Sequence, residues 1–191
     1  MANKIKKPKK KLDLPRFNSK TLYLEPVTSS EIIKVILNLS NKAGGVDKIN
    51  VKILKSIVIY ITEPLEHIFN LCIIKSIWPN ILKTAEIIPI YKNSDKTNAA
   101  NYRPISLISN IAKVFEKIIH KRLINFLNVT GVLSPMQFGF RKNISTNDAL
   151  NFINNNIYNN LNKGIKTIAT FLDLSKAFVT VNHAILIKKT L

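Results

Sequence analysis

The fold class turns on the stretch Ile165-Lys166-Thr167-Ile168-Ala169-Thr170-Phe171-Leu172-Asp173-Leu174-Ser175-Lys176-Ala177-Phe178. Ile165 to Leu172 is rich in β-branched and apolar residues, which predicts a strand buried on both faces. Asp173 ends that run. A carboxylate at the mouth of a buried strand is costly unless something pairs it, and a divalent metal would do so. Ala177 and Phe178 then set a small residue beside a bulky ring. That spacing suits a site where a metal holds phosphates and an aromatic wall tests a sugar. The plain alternative is an aspartate at a strand exit, where Asp is common for turn reasons.

Composition narrows the partners. The 191 residues are enough for a single ordinary domain or for two small ones, and 46% are hydrophobic, so a core is expected. No apolar run approaches the ~20 residues of a membrane helix, so no membrane partner is expected. The lysine-rich start has no apolar stretch behind it, which points to a cell interior, with the nucleus as a candidate address, and away from secretion. A lone Cys72 excludes an internal disulfide, and neither it nor His67, His120 and His183 shows metal-ligand spacing. The formal charge of +18 calls for a polyanion, most simply nucleic acid. Of the 29 basic residues 25 are lysines, and Asn and Ile are also abundant. AT-rich coding produces the same mixture, so some of the charge reflects composition. The four arginines, Arg16, Arg103, Arg122 and Arg141, stand out against it.

Along the chain, residues 1–19 read as a basic tail, an arm for phosphates or nuclear import or simply a solvated segment. Residues 20–80 read as a helical extension. Thr28-Ser29-Ser30-Glu31 is a capping-box pattern before a helix that should stop ahead of Ala43-Gly44-Gly45. Val51–Ile61 and Pro64–Ile77 predict two further helices, the second with Pro64 in its first turn and ended by Trp78-Pro79. Residues 81–191 begin with Lys83 to Tyr91, an extended piece that Pro89 confines to an edge or a bulge. After a polar loop, Tyr102-Arg103-Pro104-Ile105-Ser106-Leu107 brings the chain back as a hairpin. Ile111 to Leu127 carries the clearest helical stripe, with Phe115, Ile118 and Ile119 on it. A second amphipathic helix runs from Ser145-Thr146, with Leu150, Ile153, Ile157 and Leu161 inward, and closes at Lys163-Gly164.

Three groups of residues carry chemistry. Lys92 and Arg103 flank the hairpin loop, a mobile point charge beside a planar fork, which together clamp a triphosphate. Phe138, Phe140 and Arg141 combine ring faces with a cation, as single-stranded nucleic acid requires. Asp173 would hold the metal that bridges phosphates, and phosphoryl transfer asks little beyond such positioning and neutralisation. Each has a bland counterpart: solvated hairpin lysines, core phenylalanines, a turn aspartate.

Taken in order, Ile88-Pro89-Ile90-Tyr91-Lys92, Asn101-Tyr102-Arg103-Pro104-Ile105-Ser106-Leu107, Gln137-Phe138-Gly139-Phe140-Arg141 and Phe171-Leu172-Asp173-Leu174-Ser175-Lys176-Ala177-Phe178 resemble the opening motifs of reverse transcriptases. The resemblance is to the non-LTR retrotransposon class, of the jockey or long-interspersed-element type. It extends to the lead-in Lys42-Ala43-Gly44-Gly45-Val46-Asp47, Pro64-Leu65 and Ile68-Phe69-Asn70. It implies an α+β fold, an incomplete right-hand polymerase with a helical N-terminal extension, fingers and the first strand of the palm. The implied activity is copying an RNA template from a DNA primer with dNTPs and two Mg²⁺ ions. Asp173 then matches the first metal-binding aspartate, with the Leu174 carbonyl as second ligand. Phe178 matches the residue beneath the incoming sugar, Lys92 and Arg103 the nucleotide-binding residues, and Gln137, Phe138, Gly139, Phe140 and Arg141 a template-side segment. One ion would activate the primer hydroxyl and the other stabilise pyrophosphate.

Two departures qualify the resemblance. Val179 stands where the class continues with aspartate, and no acidic residue follows Asp173, so the second metal box is missing from this sequence. One carboxylate and one carbonyl make a poor cage for ions that demand octahedral geometry. The expectation is half of a metal site and no polymerase activity from residues 1–191 alone. The competing expectation is a non-catalytic, basic RNA- or DNA-binding remnant of a degenerate element.

Overall fold

Helices packed around an aromatic stack make the core of the N-terminal portion of the chain. The computed structural model describes residues 22–41, 44–92, 95–174, 177 and 180–190, in two units that divide at Leu133 and Ser134. The basic tail, Lys42, Ala43, Ser175, Lys176, Phe178 and Val179 lie outside the described residues.

In the first unit, helix α1 (Ser29–Leu37) starts where Thr28 accepts a hydrogen bond from the Glu31 amide. The second half of the expected capping box is not made. The Glu31 carboxylate turns instead to Arg122, 2.8 Å away on the helix α5 described below. Helices α2 (Val51–Ser56) and α3 (Val58–Ile74) break at Ile57, not at residues 62–63 as expected. Within α3 Thr62 is buried, and its hydroxyl bonds back to the Val58 carbonyl, which satisfies that side chain without ending the helix. Pro64 therefore lies inside α3 and not in its first turn. The carbonyl that loses its donor belongs to Tyr60, an exposed residue. A short helix, α4 (Asn80–Lys83), follows Pro79.

The core gathers Ile32 and Ile36 from α1, Leu54 from α2, and Leu65 and Phe69 from α3. They meet Phe115 and Ile118 of helix α5 (Asn110–Val129). Phe115 is the centre of the stack, with the rings of Phe69 and Trp78 at 4.5 and 4.6 Å. Such pairs add roughly 0.5–1.5 kcal/mol beyond area burial. Two asparagines tie loops to this core. Asn70 accepts from the Val27 amide at 2.7 Å and donates to the Val27 carbonyl at 2.9 Å. Buried Asn110 donates to the Ile49 carbonyl at 2.7 Å. Cys72 is buried in the same core, and burial pushes its thiol pKa up. Gly45 lies against the entry to α5: a Cβ there would meet the Ile108 carbonyl carbon at 2.5 Å.

The expected hairpin is present, with β1 (Ala85–Tyr91) antiparallel to β2 (Tyr102–Ile108). Pro89 faces Pro104 in its register. The Lys92 amide donates to Asn101 at 2.8 Å, which makes the next pair outward a bonded one. Bonded and non-bonded pairs alternate, so the Pro89–Pro104 pair is non-bonded and both ring nitrogens face the outer edges.

The second unit differs from its sequence reading. Helix α6 (Thr146–Asn162) has a complete capping box, Ser145 with Asp148, and Gly164 closes it at φ +69. Its apolar stripe was expected inward, but Leu150, Ile153 and Leu161 are exposed and Ile157 is only half-buried. The strand expected over Ile165–Leu172 does not form either; the segment is irregular and Ile168, Phe171 and Leu172 are exposed. A strand needs a neighbour's ladder, and among the described residues none lies alongside it. Helix α7 (His183–Thr190) ends the described chain. Among the described residues no helix is long and apolar enough to cross a membrane.

Candidate functional site

The hairpin register brings two of the expected site residues to one face. Arg103 stands opposite Ile90, and Lys92 follows Ile90 by two residues, so pleat alternation turns both cations the same way. Both are exposed. The loop between them is held by its own polar groups. Asp95 accepts from the Thr97 amide at 2.9 Å and hydroxyl at 2.6 Å, and these bonds hold its carboxyl below the ordinary value. Asn101 donates to the Asp95 carbonyl at 2.7 Å, and the Tyr102 hydroxyl to the Lys96 carbonyl at 2.9 Å. On the opposite face Tyr91 and Tyr102 lie 5.6 Å apart, with the Lys96 ammonium 5.8 Å above Tyr91. Motif reading missed this loop network. Its signal was present in Asp95-Lys96-Thr97, an aspartate able to bond the backbone two residues on.

In the second unit the Gln137–Arg141 segment is a knot of local bonds. The Gln137 side chain donates to the Gly139 carbonyl at 3.2 Å and Arg141 to the Ser134 carbonyl at 3.2 Å. Phe138 packs on Phe152 of α6 at 5.6 Å. Phe140 is 90% exposed at φ +60, an unusual region for a bulky residue and worth roughly 1–3 kcal/mol of strain. The two rings thus differ: Phe138 is half-buried against Phe152, and Phe140 is exposed.

Asp173 is exposed, between exposed Leu172 and Leu174, and outside any strand. Among the described residues no three His, Cys, Asp or Glu side chains cluster to hold a metal ion. As arranged, one carboxylate and a neighbouring carbonyl do not satisfy an octahedral ion, so the described residues do not by themselves complete a metal site. Phe178 lies outside the described residues.

Residues 90–191 match the family model for reverse transcriptase (RNA-dependent DNA polymerase), and that match takes in the hairpin cations, the Gln137–Arg141 knot and Asp173. The chain belongs to the reverse transcriptase family. It is 30% identical over 171 residues to the RNA-directed DNA polymerase from mobile element jockey of Drosophila melanogaster, covering 88% of this chain and 19% of that protein. The same identity and coverage hold for a probable RNA-directed DNA polymerase from transposon BS of that species. A probable RNA-directed DNA polymerase from its transposon X-element is 33% identical over 166 residues, covering 84% and 18%. The chain therefore spans about a fifth of the length of these relatives. It is a reverse transcriptase segment of the retrotransposon type, and its family works on nucleic acid and nucleotides with divalent metal ions. Arg122, by contrast, serves the fold of this reverse transcriptase segment. Its guanidinium meets both Glu31 oxygens, at 3.3 and 2.8 Å, and the Glu25, Pro26 and Ile118 carbonyls. Its partners lie up to 97 residues away, which no local pattern reveals.

Proposed function

We propose that the hairpin is the nucleotide-facing part of the fingers and that Lys92 and Arg103 meet the triphosphate of an incoming dNTP. The observation that carries this reading is the register, which turns both exposed cations to one face within the family-matched segment. Residues 20–80 are then the helical extension before the polymerase domain, and 81–191 the fingers with the start of the palm. Gln137 to Arg141 run beside the RNA template, and displayed Phe140 supports that role by offering a ring for base stacking. Asp173 and the Leu174 carbonyl are one half of a Mg²⁺ cradle, with Phe178 beneath the sugar.

The polypeptide of residues 1–191 does not polymerise by itself in this reading. Primer extension with an RNA template, a DNA primer, Mg²⁺ and four dNTPs should give no product. Extension that Asp173→Ala abolishes would overturn it. The clamp is tested apart from catalysis by titrating a fluorescent dNTP. Lys92→Ala and Arg103→Ala should each weaken binding about tenfold, the effect of one charge-assisted contact near 1.4 kcal/mol. Unchanged binding in both would remove the clamp.

A second reading, a non-catalytic RNA- or DNA-binding remnant, is favoured by the charge of +18 and by the exposed, unclustered Asp173. Exchanging residues 90–191 into a full-length jockey-type polymerase separates the two. Retained extension supports the polymerase segment, and lost extension with intact RNA binding supports the remnant.

A further inference from the structure

Helix α5 carries Lys113, Lys117 and Lys121, one per turn and ~6 Å apart along the axis. Like charges four residues apart destabilise a helix, by roughly 0.2–0.5 kcal/mol per pair. The fold recovers little from them. Lys121 approaches Glu31 only to 3.8 Å, and that carboxylate is already engaged by Arg122. Lys113 donates to the Asn110 side-chain oxygen, at 3.0 Å, and also acts electrostatically on the neighbouring Glu116 carboxylate. Lys117 is exposed, with no hydrogen-bond or ion-pair partner among the described residues.

Two clefts of the first unit meet at this row. One, of about 590 Å³, lies between α1 and α5, with Lys34 on its far wall and Ser30, Asn38 and Asn125 as polar lining. The other, of about 510 Å³, continues past Lys117 toward Ser40 and His120. The acids that face them are Glu25, Glu31 and Glu116. Against these stand Arg122, which neutralises Glu31, and four lysines.

We infer that this lysine row and the clefts beside it form a track for the phosphodiester backbone of a single-stranded nucleic acid, built from other residues than the hairpin cations and Gln137–Arg141. Evenly spaced point charges follow a backbone without reading bases, and the polar side chains alongside suit phosphate and sugar oxygens. The track rests on charge geometry alone, so a non-catalytic remnant would keep it too.

The test measures binding of the full 191-residue chain to fluorescent oligo(rU) and oligo(dT) across salt. In the triple variant Lys113→Gln, Lys117→Gln, Lys121→Gln the log–log salt slope should flatten by about 2, and affinity at 50 mM salt should fall on the order of 10²-fold. The control Lys52→Gln, Lys75→Gln, Lys163→Gln makes the same change in net charge elsewhere and should leave the slope nearly unchanged. Loss on both oligonucleotides assigns the track to phosphodiester in general, and loss on one names that strand. Equal slopes in parent and triple variant, or equal losses in triple and control, overturn the inference. Thermal melting guards against misfolding, because removing like-charge pairs should leave the midpoint unchanged or raised.

Discussion

Helices α5 and α6 are nearly matched in length, at 20 and 17 residues, and both carry an apolar stripe behind a serine cap. The local start of α6 is the better of the two, because its cap is reciprocal and that of α5 is a single hydroxyl. Yet α5 buries Phe115 and Ile118 completely, and α6 buries nothing among the described residues. Caps and periodicity decide that a helix forms. What the stripe packs against decides whether it becomes core, because most helical stability in proteins comes from tertiary packing.

The sharpest way to break this contrast is truncation. Phe115→Ala removes the middle ring of the stack and should cost about 3–5 kcal/mol. Urea unfolding followed by Trp78 fluorescence reads it directly, since Trp78 packs on that ring. Leu150→Ala on α6, where the side chain is 56% exposed, should change stability by no more than ~0.5 kcal/mol by circular dichroism. Comparable losses at the two sites would mean that α6 is covered in solution.

Hydrogen exchange sharpens the contrast at the next scale. Amides of Ile111–Leu127 should exchange slowly, and those of residues 165–172 at nearly the rate of an unstructured chain. Equal protection would show that the apolar run has found a ladder.

The smallest effect separates the two caps by pH. The Ser145 hydroxyl and amide lower the Asp148 pKa from its ordinary 3.8. The cap's contribution is therefore whole above that value and is lost as pH falls through the depressed folded value. Helicity reported by the Ser145 amide shift should drop below pH 3.8 in the parent and stay flat in Asp148→Asn. The α5 cap at Ser109 has no carboxylate and should not respond.

The same contrast separates what was legible in the sequence from what was not. Thr28, Ser145 and Lys163-Gly164 marked helix ends because capping is local chemistry. The hairpin was legible because its two extended runs are near neighbours, whereas the shared face of Lys92 and Arg103 came only with its register. The helix break at Ile57 was not legible, since no side-chain cap, glycine or proline marks it. Arg122 looked like one of four notable cations and proved to be a clamp on Glu31 and the Glu25–Pro26 backbone. Ile165 to Leu172 has the composition of a buried strand, but composition cannot supply the partner strands that burial requires. The lysine row of α5 reads in sequence as a solvated face. Its relation to the two clefts emerges only when α1 is set beside it.

The facing prolines of the hairpin limit how this ribbon can associate. Its exposed isoleucines, Ile87, Ile88 and Ile90, would otherwise invite a third strand to join from either flank. Midway along each flank the newcomer would meet a ring where it needs an amide proton, so the ladder could not propagate past that point. Growth into a wider sheet or a fibril is thereby discouraged, and whatever covers those isoleucines must approach over the flat of the ribbon, through side chains.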